Sequence, residues 1–212
     1  MPNNVVQLTT KKKNDNVDET HKKIINAFIE IITREDFSAA TNKRIADKAG
    51  VSVGKVQYHF STKSKMLEAV LERCNTEYLQ LIENKTLLTG SYDDRVMLFV
   101  SLAWRHYQSD IYLATLEILM VTRGQRELAA MLTMSESQAV MQRQRIREIF
   151  PECQLDDREL REAIITLNSY LAGLCVHTVL VPSLVNIGGY IRRARIMFKF
   201  LLRPETFPDH IV

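Results

Sequence analysis

The sequence predicts an all-α protein, with three short helices at the amino end followed by a larger helical domain. Three observations carry this expectation. Apolar residues recur at helical spacing along the chain, and no period-2 alternation persists. Gly and Pro number only 7 and 5 in 212 residues, which disfavours a turn-rich β fold. Basic charge is concentrated near the amino end. Residues 1–70 carry 12 Lys/Arg against 8 Asp/Glu, whereas the remainder carries 16 against 17.

Each element has a local justification. The polar first 18 residues, with Lys11, Lys12 and Lys13, read as a disordered basic tail. Ile24, Ala27, Phe28 and Ile31 then form one helical stripe that ends before Asp36. Thr41 precedes a short helix over Asn42 to Ala49, and Gly50 stops it. Ser52 can cap a second short helix that ends near His59. After Ser61 a longer pattern begins with Met66, Leu67, Val70 and Leu71 and continues to Ile82.

Further along, Ser91-x-x-Asp94 has the spacing of a capping box and opens a helix with Val96, Phe99, Val100 and Ala103. Helices are expected over Ile111 to Val121 and from about Gln125 to Phe150, where Pro151 ends the pattern. Asp156-x-x-Glu159 is a second capping box, with Leu155 and Leu160 placed as a hydrophobic staple. The helix it opens has two apolar faces. Leu160, Ala163, Ile164, Leu167, Leu171 and Leu174 share one, and Ile165, Ser169, Ala172, Val176 and Leu180 share the other. The last helix shows Ile187, Ile191, Ala194, Phe198 and Leu201, and Pro204 ends it.

Two short helices bent at Gly50, with a third before them, have the layout of a helix-turn-helix. In such a unit the second helix is short and exposed, so that its amino-terminal half can enter a major groove. Within Thr41–Lys65 six bases face one acid, the charge balance expected of a polyanion-binding element.

Phe37, Thr41, Ile45-Ala46, Ala49-Gly50-Val51-Ser52, Gly54, Tyr58-His59-Phe60 and Lys63 together resemble the DNA-binding domain of the TetR family of transcriptional regulators. The resemblance covers about His21 to Val70. It implies a helix-turn-helix DNA-binding domain over 19–64 and an effector-binding and dimerisation domain over 65–212. By the same resemblance Thr41, Asn42 and Lys43 would meet phosphate at the amino end of the helix before the turn, and His59 and Lys63 would contact the backbone. Val53, Gly54, Lys55, Gln57 and Tyr58 would occupy the reading positions. Gln57 stands where the family usually has Tyr, and Lys55 where Thr or Ala is commoner, which points to a different operator choice.

The resemblance also implies a homodimer, formed through the helices near 156–180 and 187–202, on a double-stranded, palindromic operator. A small-molecule effector would release it, as a repressor. Phe99, Trp104, Tyr107, Glu117, Met120, Met134 and His177 are the candidates for an effector cavity, because Met adapts to irregular apolar ligands and Trp or His adds a polar contact.

Other classes are disfavoured. Cys74, Cys153 and Cys175 are too scattered for a disulfide framework or a zinc cluster. No phosphate-binding loop, HExxH, nucleophile elbow or dinucleotide fingerprint occurs, so neither an enzyme, a cofactor nor a bound metal is expected. Met1 to Asn16 lacks the apolar core of a signal peptide, and the expected location is cytoplasmic. Ala163 to Ile191 is 29 residues without Asp, Glu, Lys or Arg. Its Asn168, His177, Pro182 and Gly188-Gly189 argue for burial between protein surfaces, not for a membrane span. The remaining alternative is a helix-turn-helix protein that binds DNA without small-ligand control, constitutively or through a protein partner.

Overall fold

A computed structural model describes residues 4–123, 136–184 and 186–203. Its α-helices are α1 (Asn4–Arg34), α2 (Asn42–Ala49), α3 (Val53–His59), α4 (Lys63–Ile82), α5 (Tyr92–Tyr107), α6 (Asp110–Val121), α7 (Glu136–Ile149), α8 (Asp157–Leu180) and α9 (Ile187–Leu202). Short 3-10 helices occupy Lys85–Leu88 and Pro182–Leu184, and the described residues contain no strand. Both expected capping boxes are present. Ser91 and Asp94 open α5, and Asp156 and Glu159 open α8, each side chain taking the other residue's backbone N–H.

The chain divides into two compact units. One holds α1–α3, α4 as far as Cys74, and α6; the other holds the rest of α4, α5 and α7–α9. This differs in three ways from the expectation. The boundary lies within α4 rather than at 64/65. The segment from Asp110, expected in the effector domain, packs on α1 and belongs to the first unit. The chain before residue 18, expected to be a disordered tail, is helical from Asn4, since no Gly or Pro interrupts α1. The helix expected from Gln125 is described from Glu136 only; its earlier part lies outside the described residues.

The core of the first unit explains how α3 is held. Ile24, Phe28 and Ile31 of α1, Ile45 of α2, Met66, Val70 and Leu71 of α4, and Ile111, Ala114 and Ile118 of α6 form one buried cluster. Val56 and Phe60, four apart, dip into it from α3 and the residue that follows. A fully buried valine contributes about 1.5–3 kcal/mol, a large share of what can anchor a seven-residue helix.

The second unit is closed by aromatics. Phe99 of α5 stacks on Phe198 of α9 at 5.2 Å, and Phe150 meets both rings edge-on at 5.7 and 5.9 Å. Tyr78 of α4, buried, donates its hydroxyl to Asn168 of α8 at 3.0 Å, and burial pushes its pKa up to about 12. Arg95 pairs with Glu152 and donates to the Gly90 carbonyl at 2.6 Å. Of the two apolar faces of α8, Leu160, Leu167 and Leu171 are buried, whereas Ile165, Val176 and Leu180 remain exposed.

Gly50 is the one sharp bend between α2 and α3, with φ of 65° in the left-handed region. Gly54 lies in α3 without positive φ, and a Cβ there would meet nothing nearer than the Ser52 Oγ at 4.0 Å. The two glycines should therefore respond oppositely to the same change. Gly50→Ala should destabilise the protein by about 1 kcal/mol through backbone strain, and Gly54→Ala should be neutral or stabilising. Urea unfolding of the two variants checks this; equal destabilisation would contradict it.

Candidate nucleic-acid interface

The turn is built from local hydrogen bonds. Thr41 caps α2, its Oγ1 accepting the Arg44 N–H at 3.3 Å. At the far end the Val51 N–H donates to the Ala46 carbonyl at 3.0 Å, which the left-handed Gly50 permits. Ser52 caps α3, accepting from the Lys55 N–H at 3.3 Å. The α3 that results buries Val56 and turns Val53, Gly54, Lys55, Gln57 and Tyr58 to solvent. Tyr58 is 80% exposed, so it does not pack against the domain.

The expected contact residues occupy one continuous stretch of elements. Thr41, Asn42 and Lys43 are exposed at the amino end of α2, where free backbone N–H groups and the helix dipole favour an anion. His59 is half-buried at the end of α3. Lys63 is the exception, because its ammonium is already engaged. It donates to the Phe37 carbonyl at 3.2 Å and stands 3.9 Å over the centre of the Phe37 ring. Burial lowers its pKa below the usual lysine value. Lys63 thus ties the loop before α2 to the start of α4, and its remaining N–H groups are what a phosphate could use.

The basic surplus of this region is partly cancelled by acids at and just after the end of α1. Arg44 pairs with Glu35 at 2.5 Å and Lys48 with Glu30 at 2.9 Å. Lys43 and Lys55 are exposed and have no such acidic partner among the described ion pairs, which leaves them as the cations of α2 and α3 suited to an external polyanion. Sequence reasoning missed these pairings, since the acids lie 9 to 18 residues upstream and nothing local signals them.

The candidates for an effector cavity are divided between the two units. Phe99, Trp104 and Tyr107 are buried in the second unit, and Tyr107 offers its carbonyl to the Cys175 thiol at 2.9 Å. Glu117 and Met120 are exposed on α6 of the first unit, and Met134 lies outside the described residues. His177 is exposed and lines an open groove of about 560 Å3 on α8 and α9, with Tyr170, Gly173, Leu174 and Tyr190. Among the described residues no cluster of three or more His, Cys, Asp or Glu is placed to hold a metal ion.

Comparison with known proteins gives the same picture of the amino-terminal unit. The family described as bacterial regulatory proteins, tetR family, matches residues 24–70. The HTH-type transcriptional regulator SrpR of Pseudomonas putida is 44% identical over 54 residues, which is 26% of this chain and 25% of SrpR. The nucleoid occlusion factor SlmA of Actinobacillus pleuropneumoniae serotype 5b (strain L20) is 31% identical over 91 residues, 41% of this chain and 45% of SlmA. The chain therefore spans less than half the length of these curated relatives. Among solved structures, a transcriptional regulator from Rhodococcus sp. Rha1 superposes with a TM-score of 0.66 at 17% identity, covering 89% of this chain and 99% of that one. The multidrug binding protein EbrR complexed with ethidium superposes with a TM-score of 0.61 at 16% identity, covering 86% and 98%. At that identity the likeness is one of fold.

The ion pairs predict how charge is divided. Lys43→Ala and Lys55→Ala should each lower the salt dependence of binding to duplex DNA by about one unit per protomer. Arg44→Ala and Lys48→Ala, whose charges are already balanced, should change the slope much less. Titrations at several salt concentrations check this; four equal effects would contradict it.

Proposed function

Residues 24–70 match the tetR family of bacterial regulatory proteins, and on that premise we propose that the chain is a homodimeric, sequence-specific DNA-binding repressor. The observation that carries the proposal is the outward face of α3, where Gln57, Lys55 and the 80%-exposed Tyr58 stand clear of the core while Val56 holds the helix from behind. Gln57 can make two hydrogen bonds to adenine and Lys55 can reach guanine, each good pairing giving ~1–3 kcal/mol of discrimination. Thr41, Asn42, Lys43, His59 and Lys63 take the phosphates on either side, which fixes register without reading sequence. Gly54 lets the backbone approach the duplex closely.

The apolar surplus of α8 and α9 supports the dimer. Within α8 an 18-residue stretch averages a hydropathy of 1.6, high enough for a membrane span, yet only 33% of it is buried. Ile165, Val176, Val179 and Leu180 of α8 and Ile187, Tyr190 and Ile196 of α9 are exposed. Pairing both helices with their symmetry mates forms a four-helix bundle, covers this surface in the cytoplasm and dispenses with a membrane. A symmetric pair also presents two α3 helices to half-sites one helical turn apart, about 34–36 Å, matching a palindromic operator.

Release by a small molecule is the regulatory step of the proposal, supported by the ethidium complex of EbrR in the same fold. A second reading, constitutive DNA binding without a small ligand, is favoured by one observation: Phe99, Trp104 and Tyr107 pack as core.

Selection of bound sequences from random duplex DNA should enrich a palindrome, and repeating it with candidate compounds separates the two readings. Gln57→Ala should relax preference at one base in each half-site with little change elsewhere. Absence of any enriched palindrome, or an equal loss on every sequence from Gln57→Ala, would overturn the assignment of α3.

A further inference from the structure

The amino part of α1 and the end of α3 bring two histidines together. His21, half-buried on α1, has its ring centre 4.6 Å from that of Phe60 and 6.1 Å from that of His59, which it meets edge-on. His59 in turn meets Tyr58 edge-on at 5.4 Å. Rings thus run from the exposed Tyr58, through His59, to His21 behind the reading helix. The charged groups acting on His21 come from three helices. Burial and the neighbouring His59 lower its pKa below the ordinary value, against the pull of Asp18 on α1 and Glu72 on α4. Two imidazolium rings at this spacing repel, so the pair holds one proton more readily than two.

We propose that His21 and His59 act as a proton-sharing pair in which a DNA phosphate seated on His59 fixes the single proton there, so that operator binding takes up protons. The inference rests on the reading of α3 as the DNA-contacting helix. The sign follows from charge. A phosphate is an anion and stabilises imidazolium over imidazole, so the complex is favoured as pH falls. The proton comes from solvent when the free pair is neutral, or from His21 when His21 holds it. His21 is a positioning residue that does not touch DNA. Its ring packs on Phe60 and meets that of His59 edge-on, and a proton on His21 opposes one on His59.

The test uses the full-length protein and a 30-base-pair duplex taken from random-sequence selection. Wild-type affinity should rise about fivefold to tenfold per half-site between pH 8 and pH 6, a shift of one pKa unit corresponding to tenfold. His59→Gln should flatten this profile. His21→Gln and His21→Phe, the latter keeping a ring against Phe60, should both move the profile to higher pH while leaving affinity at pH 6 nearly unchanged. Without DNA, NMR titration should find the His21 midpoint raised in His59→Gln. Binding that is independent of pH, or a profile that neither His21 variant moves, would overturn the pair while leaving α3 as the reader. An unmoved His21 midpoint in His59→Gln would do the same. Failure to bind any duplex at any pH would overturn both.

Discussion

A helix proposed to read DNA must be exposed on most of its surface and still be held rigidly, and those demands conflict in a helix of seven residues. The conflict is resolved here by Val56 and Phe60. Both are buried in a core that α1, α2, α4 and α6 assemble around them, and Val53, Lys55, Gln57 and Tyr58 of α3 are left exposed. The tight bend at Gly50 and the caps at Thr41 and Ser52 set the angle at which the helix is offered. The rest of the first unit is a mount for that one short helix.

Electrostatics refine what the mount presents. A count of charges over Thr41–Lys65 treats all six cations alike. The fold divides them. Glu30 of α1 and Glu35 just after it neutralise Lys48 and Arg44, Phe37 engages Lys63, and Lys43, Lys55 and Lys65 remain facing solvent. Exposed ion pairs contribute little stability on their own, at most about 1 kcal/mol each. Their larger consequence lies in which cations remain available to a phosphate chain.

What was legible in the sequence was local. A left-handed Gly, a Ser or Thr cap and a capping box act within four residues, and Gly50, Ser52, Ser91-x-x-Asp94 and Asp156-x-x-Glu159 all behave as their spacing suggests. The two faces of α8 were also readable, because helical periodicity alone assigns them. What could not be read depends on distant partners. No local signal places α6 on α1, brings Lys63 to Phe37 across 26 residues, or stacks Phe99 on Phe198. The effector candidates meet the same difficulty. Met, Trp and Tyr at helical spacing have one composition whether they line a cavity or fill a core, and Phe99, Trp104 and Tyr107 fill one.

The apolar outer faces of α8 and α9 and the exposed face of α3 bear on one account, in which two copies join through the former and present the latter to a duplex. A photoreactive side chain placed at position 57 of the full-length protein, on a selected duplex, tests that account most directly. The account predicts crosslinks to bases at two symmetric positions about one helical turn apart. Crosslinks to protein alone, or to a single position on the duplex, would contradict it.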